Sequence, residues 1–387
     1  MKKTMTLSAL ALMVAASAQA EVRINGFANL IGGMTGSDEN LYGYDDTFSF
    51  KPESLFAIQV SGDVNSKMTA TGQLVARGTN DYDPDFEWAY LTYNATDKLS
   101  ISAGRLRLPL FSYSASKDVG YSYHWINAPR AVYEVPFNNL DGVRVDYSTF
   151  SGDWEYNVSF STGTFSGTAL GADNSGDNVL VFSAEASYEW FKIRAVAGVG
   201  KTTIDLASSD RAEIQAIANG LNTMRSLGFA ELENNLQVRD DSGQFLGLSA
   251  QVDKFDWFVS AEITSINADN SFLAKDIAYY VTAGIRQGAW TPSLTYQKFE
   301  SDAELKYQDQ INQIAASGLP QTAVVQLTQL AIGLQMSQDS EYDVLSASLR
   351  YDFDTNVAFK ADISKYSDDM DNSLDATLLR FGVNYVF

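Results

Sequence analysis

Along most of this chain, apolar residues recur at every second position. In residues 376–387, Leu379, Phe381, Val383, Tyr385 and Phe387 alternate with Arg380, Gly382 and Asn384, and only Val386 interrupts the polar set. A period of two places the two sets on opposite faces of a β-strand. The same pattern predicts sixteen strands, at about 22–32, 54–63, 67–78, 85–95, 98–106, 138–148, 153–163, 178–190, 192–202, 244–253, 256–266, 277–287, 289–299, 341–352, 355–366 and 375–387. Phe86, Trp88 and Tyr90 are expected on one face, with Glu87 and Ala89 on the other. Leu99, Ile101 and Ala103 oppose Ser100 and Ser102, and Phe182, Ala184, Ala186, Tyr188 and Trp190 oppose Ser183, Glu185, Ser187 and Glu189. Tyr279, Val281, Ala283 and Ile285 oppose Thr282, Gly284 and Arg286, as Val357, Phe359, Ala361 and Ile363 oppose Lys360, Asp362 and Ser364. One apolar face could pack on a second sheet in water, but sixteen strands would make an unusually large sandwich.

The connections separate the alternatives better than the strands do. Seven short turns alternate with eight longer loops, the longest at about 33–53, 107–137, 203–243 and 300–340. That rhythm fits an all-β, transmembrane, antiparallel up-and-down barrel with short turns on the periplasmic side. Aromatics recur beside successive short turns: Tyr147, Phe150 and Trp154, then Trp190 and Phe191, Phe255 and Trp257, Trp290, and Tyr351 and Phe353. Amphipathic rings favour the membrane–water interface, so these positions predict a girdle.

The first twenty residues read as an export signal rather than part of the fold. Lys2 and Lys3 precede an apolar run from Leu7 to Ala16, and Ala18-Gln19-Ala20 gives a cleavage site. The barrel domain is then expected over 21–387. With the two signal lysines set aside, 25 basic residues face 48 acidic ones, a net charge of −23. Nucleic acid is disfavoured as a partner, because binding it requires a basic patch. The chain has no cysteine, which removes disulfides, thiol chemistry and Cys-based metal sites. After residue 20 no apolar run is long enough for a helical span, and a mean hydropathy of −0.15 agrees. A β-barrel escapes that test because its lumen residues dilute the average.

Taken together, the signal segment, strand number, turn rhythm, long third loop and final aromatic resemble the Gram-negative outer-membrane porins. Locally the likeness is strongest at Ala103-Gly104-Arg105, entering the third loop, and at Asn139-Leu140-Asp141-Gly142-Val143-Arg144-Val145-Asp146-Tyr147, leaving it. The third-loop sequence departs from the acidic P-E-x-x-G type of the enterobacterial general porins. The resemblance implies a cell outer-membrane location, a homotrimer, and contacts with outer-membrane lipid and lipopolysaccharide. It also implies biogenesis through periplasmic chaperones and the barrel-insertion machinery, which reads a C-terminal signature matched here by Phe387 and Tyr385. The implied function is a water-filled channel for passive diffusion of small hydrophilic solutes and ions, with no cofactor and no bound metal. A substrate-selective channel, with a site at the third loop or in the outer loops, is the second reading. A non-conducting receptor or structural barrel is the third.

In that family the third loop folds inward, which makes Arg105, Arg107, Lys117, Asp118, His124, Arg130 and Glu134 the expected constriction residues. The loop's Phe111, Tyr113, Tyr121, Tyr123, Trp125 and Tyr133 argue against full exposure. Strand parity directs Arg77, Glu87, Arg144, Glu185, Arg194, Glu262, Arg286, Arg350, Lys360, Asp362 and Arg380 into the lumen, because a lipid-facing charge costs about 2–4 kcal/mol at the midplane. The net charge favours cations, whereas this lumen set holds more bases than acids, so either ion preference stays open. Many acids are expected in outer loops, including Asp38, Glu39, Asp45 and Asp46. Asp81-x-Asp83-x-Asp85 has oxygen-ligand spacing but lacks the rest of a calcium loop, and reads as a solvated acidic turn. Helical spacing appears in two outer loops: Ile214, Ile217, Ala218 and Leu221, and Ile311, Ile314 and Ala315. Helices packed on neighbouring loops are favoured there over a lid. An enzyme is not expected: His124 is the only histidine, and no hydrolase or phosphate-binding motif is present.

Overall fold

The computed structural model describes residues 21–36 and 40–387. The export signal, Asp38 and Glu39 lie outside the described residues. Sixteen strands close into a single barrel. They are β1 (Val22–Thr35), β2 (Leu55–Asn65), β3 (Met68–Arg77), β4 (Pro84–Asn94), β5 (Leu99–Arg107), β6 (Asn139–Ser151), β7 (Trp154–Ala169) and β8 (Ala172–Tyr188). The second half comprises β9 (Phe191–Asp205), β10 (Asp241–Asp253), β11 (Trp257–Ala268), β12 (Lys275–Ile285), β13 (Trp290–Asp302), β14 (Ser340–Asp354), β15 (Val357–Asp368) and β16 (Ala376–Val386). Every strand pairs antiparallel with its neighbours in sequence. Lipid offers no partner for a free edge, so the ends must also meet. They do: β16 pairs with β1 from Phe27↔Val386 to Thr35↔Leu378. Phe387 completes the seam, exchanging two backbone hydrogen bonds of 2.9 Å with Gly26. Its ring lies over Gly26, where a Cβ would come within 2.2 Å of it, so only glycine fits there. Tyr385 and Phe56 stack on the same ring.

The outer face carries exposed Leu30, Phe182, Leu248, Val281, Ile363 and Phe381, as a lipid-facing wall requires. At the short-turn end Phe150, Trp190, Phe255, Trp257, Trp290 and Phe353 form an exposed aromatic band. The Lys254 ammonium sits 3.6 Å from the Trp190 ring centroid within that band.

Two sequence expectations are corrected. A bulge in β4 shifts register between Gln73↔Trp88 and Leu74↔Phe86. Phe86 stays outside, but Trp88 and Tyr90 move to the face shared with Gln73 and Thr71, because the extra residue reverses alternation beyond it. The stretch between the expected strands 153–163 and 178–190 is mostly strand. β7 and β8 continue to a tight turn at Leu170 and Gly171, both at positive φ (57° and 68°), as the twist of a two-residue hairpin demands.

Among the described residues five α-helices punctuate the long loops. α1 (Arg130–Tyr133) lies in the third loop. α2 (Ala212–Ser226) and α3 (Ala230–Asn235) follow β9, and α4 (Gln308–Ala315) and α5 (Gln321–Met336) follow β13. Ile214, Leu221, Met224, Ile314, Leu327 and Ala331 bury one face of these outer helices in a shared core with Phe272 of the β11–β12 loop. Lys306 ties this cap to that loop, donating to the Leu273 carbonyl at 2.7 Å. No described helix is long and apolar enough to cross a membrane.

Candidate functional site: the third loop inside the barrel

The third loop runs from Leu108 to Asn138, and a 2.9 Å backbone bond between those two residues closes its neck. Its aromatics need cover from water, and the barrel provides an apolar inner wall. Val179 and Val181 of β8, Val196 of β9, Phe245 of β10 and Ala278 and Tyr280 of β12 form one buried cluster with Leu108, Leu110, Phe111, Tyr123, Trp125 and Tyr133 of the loop. The sequence contained a signal for this wall. Residues 179–182 are apolar without interruption, the mark of a strand covered on both faces.

Polar contacts then fix the loop on many sides of the lumen. Trp125 Nε1 donates to Thr295 Oγ1 of β13 at 2.9 Å, and His124 Nε2 lies 3.2 Å from Thr282 Oγ1 of β12. Glu262 of β11 accepts from the Tyr133 hydroxyl (2.7 Å) and the Ser112 amide (3.0 Å). Ser112 Oγ and Ser249 Oγ of β10 are 2.6 Å apart. On the far side, Asn29 of β1 donates to the Asp118 carbonyl at 2.9 Å. Gly120 presses on Asn29 and Asn384 so closely that a Cβ would lie 2.2 Å from the Asn384 amide.

Three inward cations hold loop carbonyls. Arg194 donates to Leu110 O at 3.0 Å and also to Pro109 O. Arg350 donates to Tyr121 O and Tyr123 O at 2.6 and 2.7 Å. Lys360 donates to Tyr123 O at 2.7 Å and to the carbonyls of Gly120 and Trp125.

Two buried ion clusters complete the clamp. In the first, Asp118 accepts from Arg107 at 2.6 Å and Arg77 at 2.9 Å, and both arginines also reach Glu87 at 3.0 Å. In the second, Glu53 accepts from Arg130 at 2.8 Å, Arg380 at 2.9 Å, Asn127 at 2.6 Å and the Tyr44 hydroxyl at 3.0 Å. Arg380 also binds Asp362 at 2.7 Å. Glu53 was missed because in the sequence it is one acid among several in the first long loop. Only the folding of that loop against Tyr44 and β16 buries it.

The electrostatics follow from this burial. For Glu53, burial opposes the charge, but Arg380 and Arg130 overcome it and lower its pKa. Asp118 likewise pays for burial, yet Arg107, Arg77 and Lys117 hold its carboxyl well below the usual range. Lys117 itself is pushed down to about 8 by burial, despite the attraction of Asp118. Its ammonium donates to the Tyr133 carbonyl at 2.8 Å and to Asn138 at 3.0 Å. Burial lowers the His124 pKa well below its ordinary value, and Lys360, Arg286 and Arg350 push the same way. The ring rests between Trp125 and Phe258, with centroids 4.2 and 4.4 Å away.

The remaining expected residues lie apart from the clamp. Arg144 pairs with Asp146 at 2.8 Å, Lys192 with Glu185 at 3.4 Å, and Arg286 with Asp253 at 2.6 Å, all along the wall. Glu134 is exposed, 3.4 Å from Arg130. Arg105 is a correction: it does not reach the constriction. It shares a face with exposed Ala89 and sits 3.7 Å from Asp141, because alternation places it opposite the inward Gly104. At the outer rim Lys51 pairs with Asp81, and no metal-holding group of acids or histidine occurs among the described residues.

No family model matches this chain, and no curated protein does. Solved structures match it in fold. The outer membrane channel DcaP of Acinetobacter baumannii superposes with a TM-score of 0.59 at 13% identity, over 96% of this chain and 99% of that one. A loop L8 deletion mutant of OmpT, an outer membrane protein of Vibrio cholerae, gives 0.58 at 11%, over 95% and 99%. The anion-selective porin from Comamonas acidovorans gives 0.55 at 10%, over 95% and 100%. At these identities the likeness is one of architecture: this chain has the sixteen-stranded fold of Gram-negative outer-membrane porins and channels.

Proposed function

We propose that this chain is a solute-selective channel of the outer membrane, through which small hydrophilic solutes and ions move passively past the third loop. The observation that carries this reading is the clamp. Arg77, Arg107, Arg130, Arg194, Arg350, Lys360 and Arg380 all bind the loop or the carboxylates that hold it. A wide general-diffusion pore works with free charges of both signs across an open eyelet. Here those charges are engaged by the loop's carbonyls or by the carboxylates that anchor it, so permeation depends on the spaces left beside the loop.

The reading is a transport one. His124 faces a threonine and two aromatic rings, not the serine and carboxylate of a hydrolytic triad. A homotrimer in outer-membrane lipid, bounded outside by lipopolysaccharide, goes with it; the Vibrio cholerae OmpT neighbour has also been solved in a trimer form. Phe387 and Tyr385 serve assembly in this reading, since they close the seam.

Planar-bilayer recording tests the proposal. The expected result is a small unitary conductance in KCl that some solutes block and others of equal size do not. A large ohmic conductance indifferent to solute chemistry would return the protein to general diffusion. Silence from folded barrels would favour the non-conducting class.

A further inference from the structure

Between the third loop and the inner wall of β7 to β12 lies a cavity of about 600 Å³. We infer that it binds a small organic cation with an apolar body. This deepens the selective-channel reading and rests on it for its place in transport, though not for the binding itself.

The body of the ligand follows from the lining. Leu108, Leu110 and Phe137 of the loop face Phe165, Val181 and Phe245 of the wall. The volume lies within the range of sites that enclose small organic molecules, and mostly apolar walls are their common property. Phe137 and Phe165 are tilted toward each other with centroids 5.3 Å apart, offering ring faces that attract a cation as well as an apolar group.

The charge of the ligand follows from Asp276. It belongs to β12, two residues before Ala278 and four before Tyr280, both buried on the inner face, and it lines the cavity. Its cross-strand neighbours are Ile266 and Ser301, neither of which carries charge. Among the described residues no cation pairs with it and Ser301 is its hydrogen-bond partner, whereas the inner-wall carboxylates Glu87 and Asp362 each bind arginine, and Glu262 is held by the Tyr133 hydroxyl and the Ser112 amide. Glu134 adds a second acid at the rim, shared with Arg130. Lys201 is the one base among the described lining residues, but its parity is opposite to that of inward Arg194, Val196 and Ile204, so its ammonium belongs to the outer face. A carboxylate without a counter-charge in apolar surroundings attracts a cation and repels an anion.

The test uses the folded full-length barrel and three probes of one shape. These are phenethylammonium, 2-phenylethanol and 3-phenylpropionate, titrated by calorimetry in detergent near neutral pH. Phenethylammonium should bind about tenfold or more tightly than the alcohol, and the anion should bind least. Asp276→Asn should bring the cation to the level of the alcohol, and Asp276→Glu should restore most of the difference. Equal affinity for cation and anion, or an Asp276→Asn barrel that binds the cation unchanged, overturns the inference. The probe series on the unmodified protein stands even if Asp276→Asn fails to fold. Conductance in KCl on the same preparation separates the two ideas. Selective conductance without cation binding removes the inference alone, and cation binding to a barrel that conducts indiscriminately removes the channel reading alone.

Discussion

Inward charges at the short-turn end of the barrel and inward charges at its middle do different things. Near the turns they pair with wall neighbours: Arg23 with Asp63, Arg144 with Asp146, Arg286 with Asp253. The side chains of Arg23 and Arg144 remain 43% and 25% exposed. At mid-height the charges leave the wall and grip the third loop or its anchors, and there Arg107, Arg380 and Glu53 are 8%, 7% and 1% exposed. Wet pairs of the first kind contribute about 0–1 kcal/mol. In the second kind, removing one partner strands a buried charge and costs about 3–5 kcal/mol. Facing the lumen is therefore one property, and lining an open path is another.

The contrast breaks most sharply at Arg380. Arg380→Met leaves Glu53 and Asp362 without their shared guanidinium and should destabilise the barrel by about 3 kcal/mol or more. The readout is the urea midpoint of folded barrel on gels; a shift no larger than that of Arg144→Met would erase the distinction. Lys360→Met comes next. It removes the donor to three loop carbonyls, at a cost of about 2 kcal/mol. The loop should loosen while the barrel stays closed, giving higher and noisier single-channel current. Arg144→Met should change stability by less than about 1 kcal/mol, leave unitary conductance in place, and free Asp146 to shift the reversal potential toward cations.

The smallest expected effect is one of pH. Burial brings Lys117 down to about 8 from an ordinary 10.5. Between those values the folded state binds fewer protons than the unfolded chain, so this group's contribution makes stability rise with pH across that window. Above about 8 the loop also loses one positive charge, so cation preference should increase from pH 7 to pH 9. Reversal potentials measure this, and Lys117→Met should flatten the response.

Much of this was legible in the alternation. All sixteen strands lie where period two placed them, and the lipid and lumen faces of β16 follow from Leu379, Arg380, Phe381 and Asn384. What escaped came from events that a period cannot register. One extra residue in β4 turned Trp88 and Tyr90 inward. A turn at Leu170–Gly171 let β7 and β8 run past their expected ends. Charge type marked Arg194, Arg350 and Lys360 as lumen residues, but nothing local said that their partners would be backbone carbonyls. Glu53 depends on contacts with Arg130 and Arg380, one of them more than three hundred residues away.

The third loop rests inside the barrel against the wall. Ser112 of the loop and Ser249 of β10 bring their Oγ atoms within 2.6 Å, and the chain has no cysteine of its own. A Ser112→Cys, Ser249→Cys protein should therefore form one disulfide under mild oxidation, because the side-chain oxygens that the two sulfurs would replace are already in contact. Nearly complete cross-linking is expected in folded barrels, visible as a reducible shift in gel mobility. Folded barrels in which both thiols remain free and open to alkylation would contradict this placement of the loop.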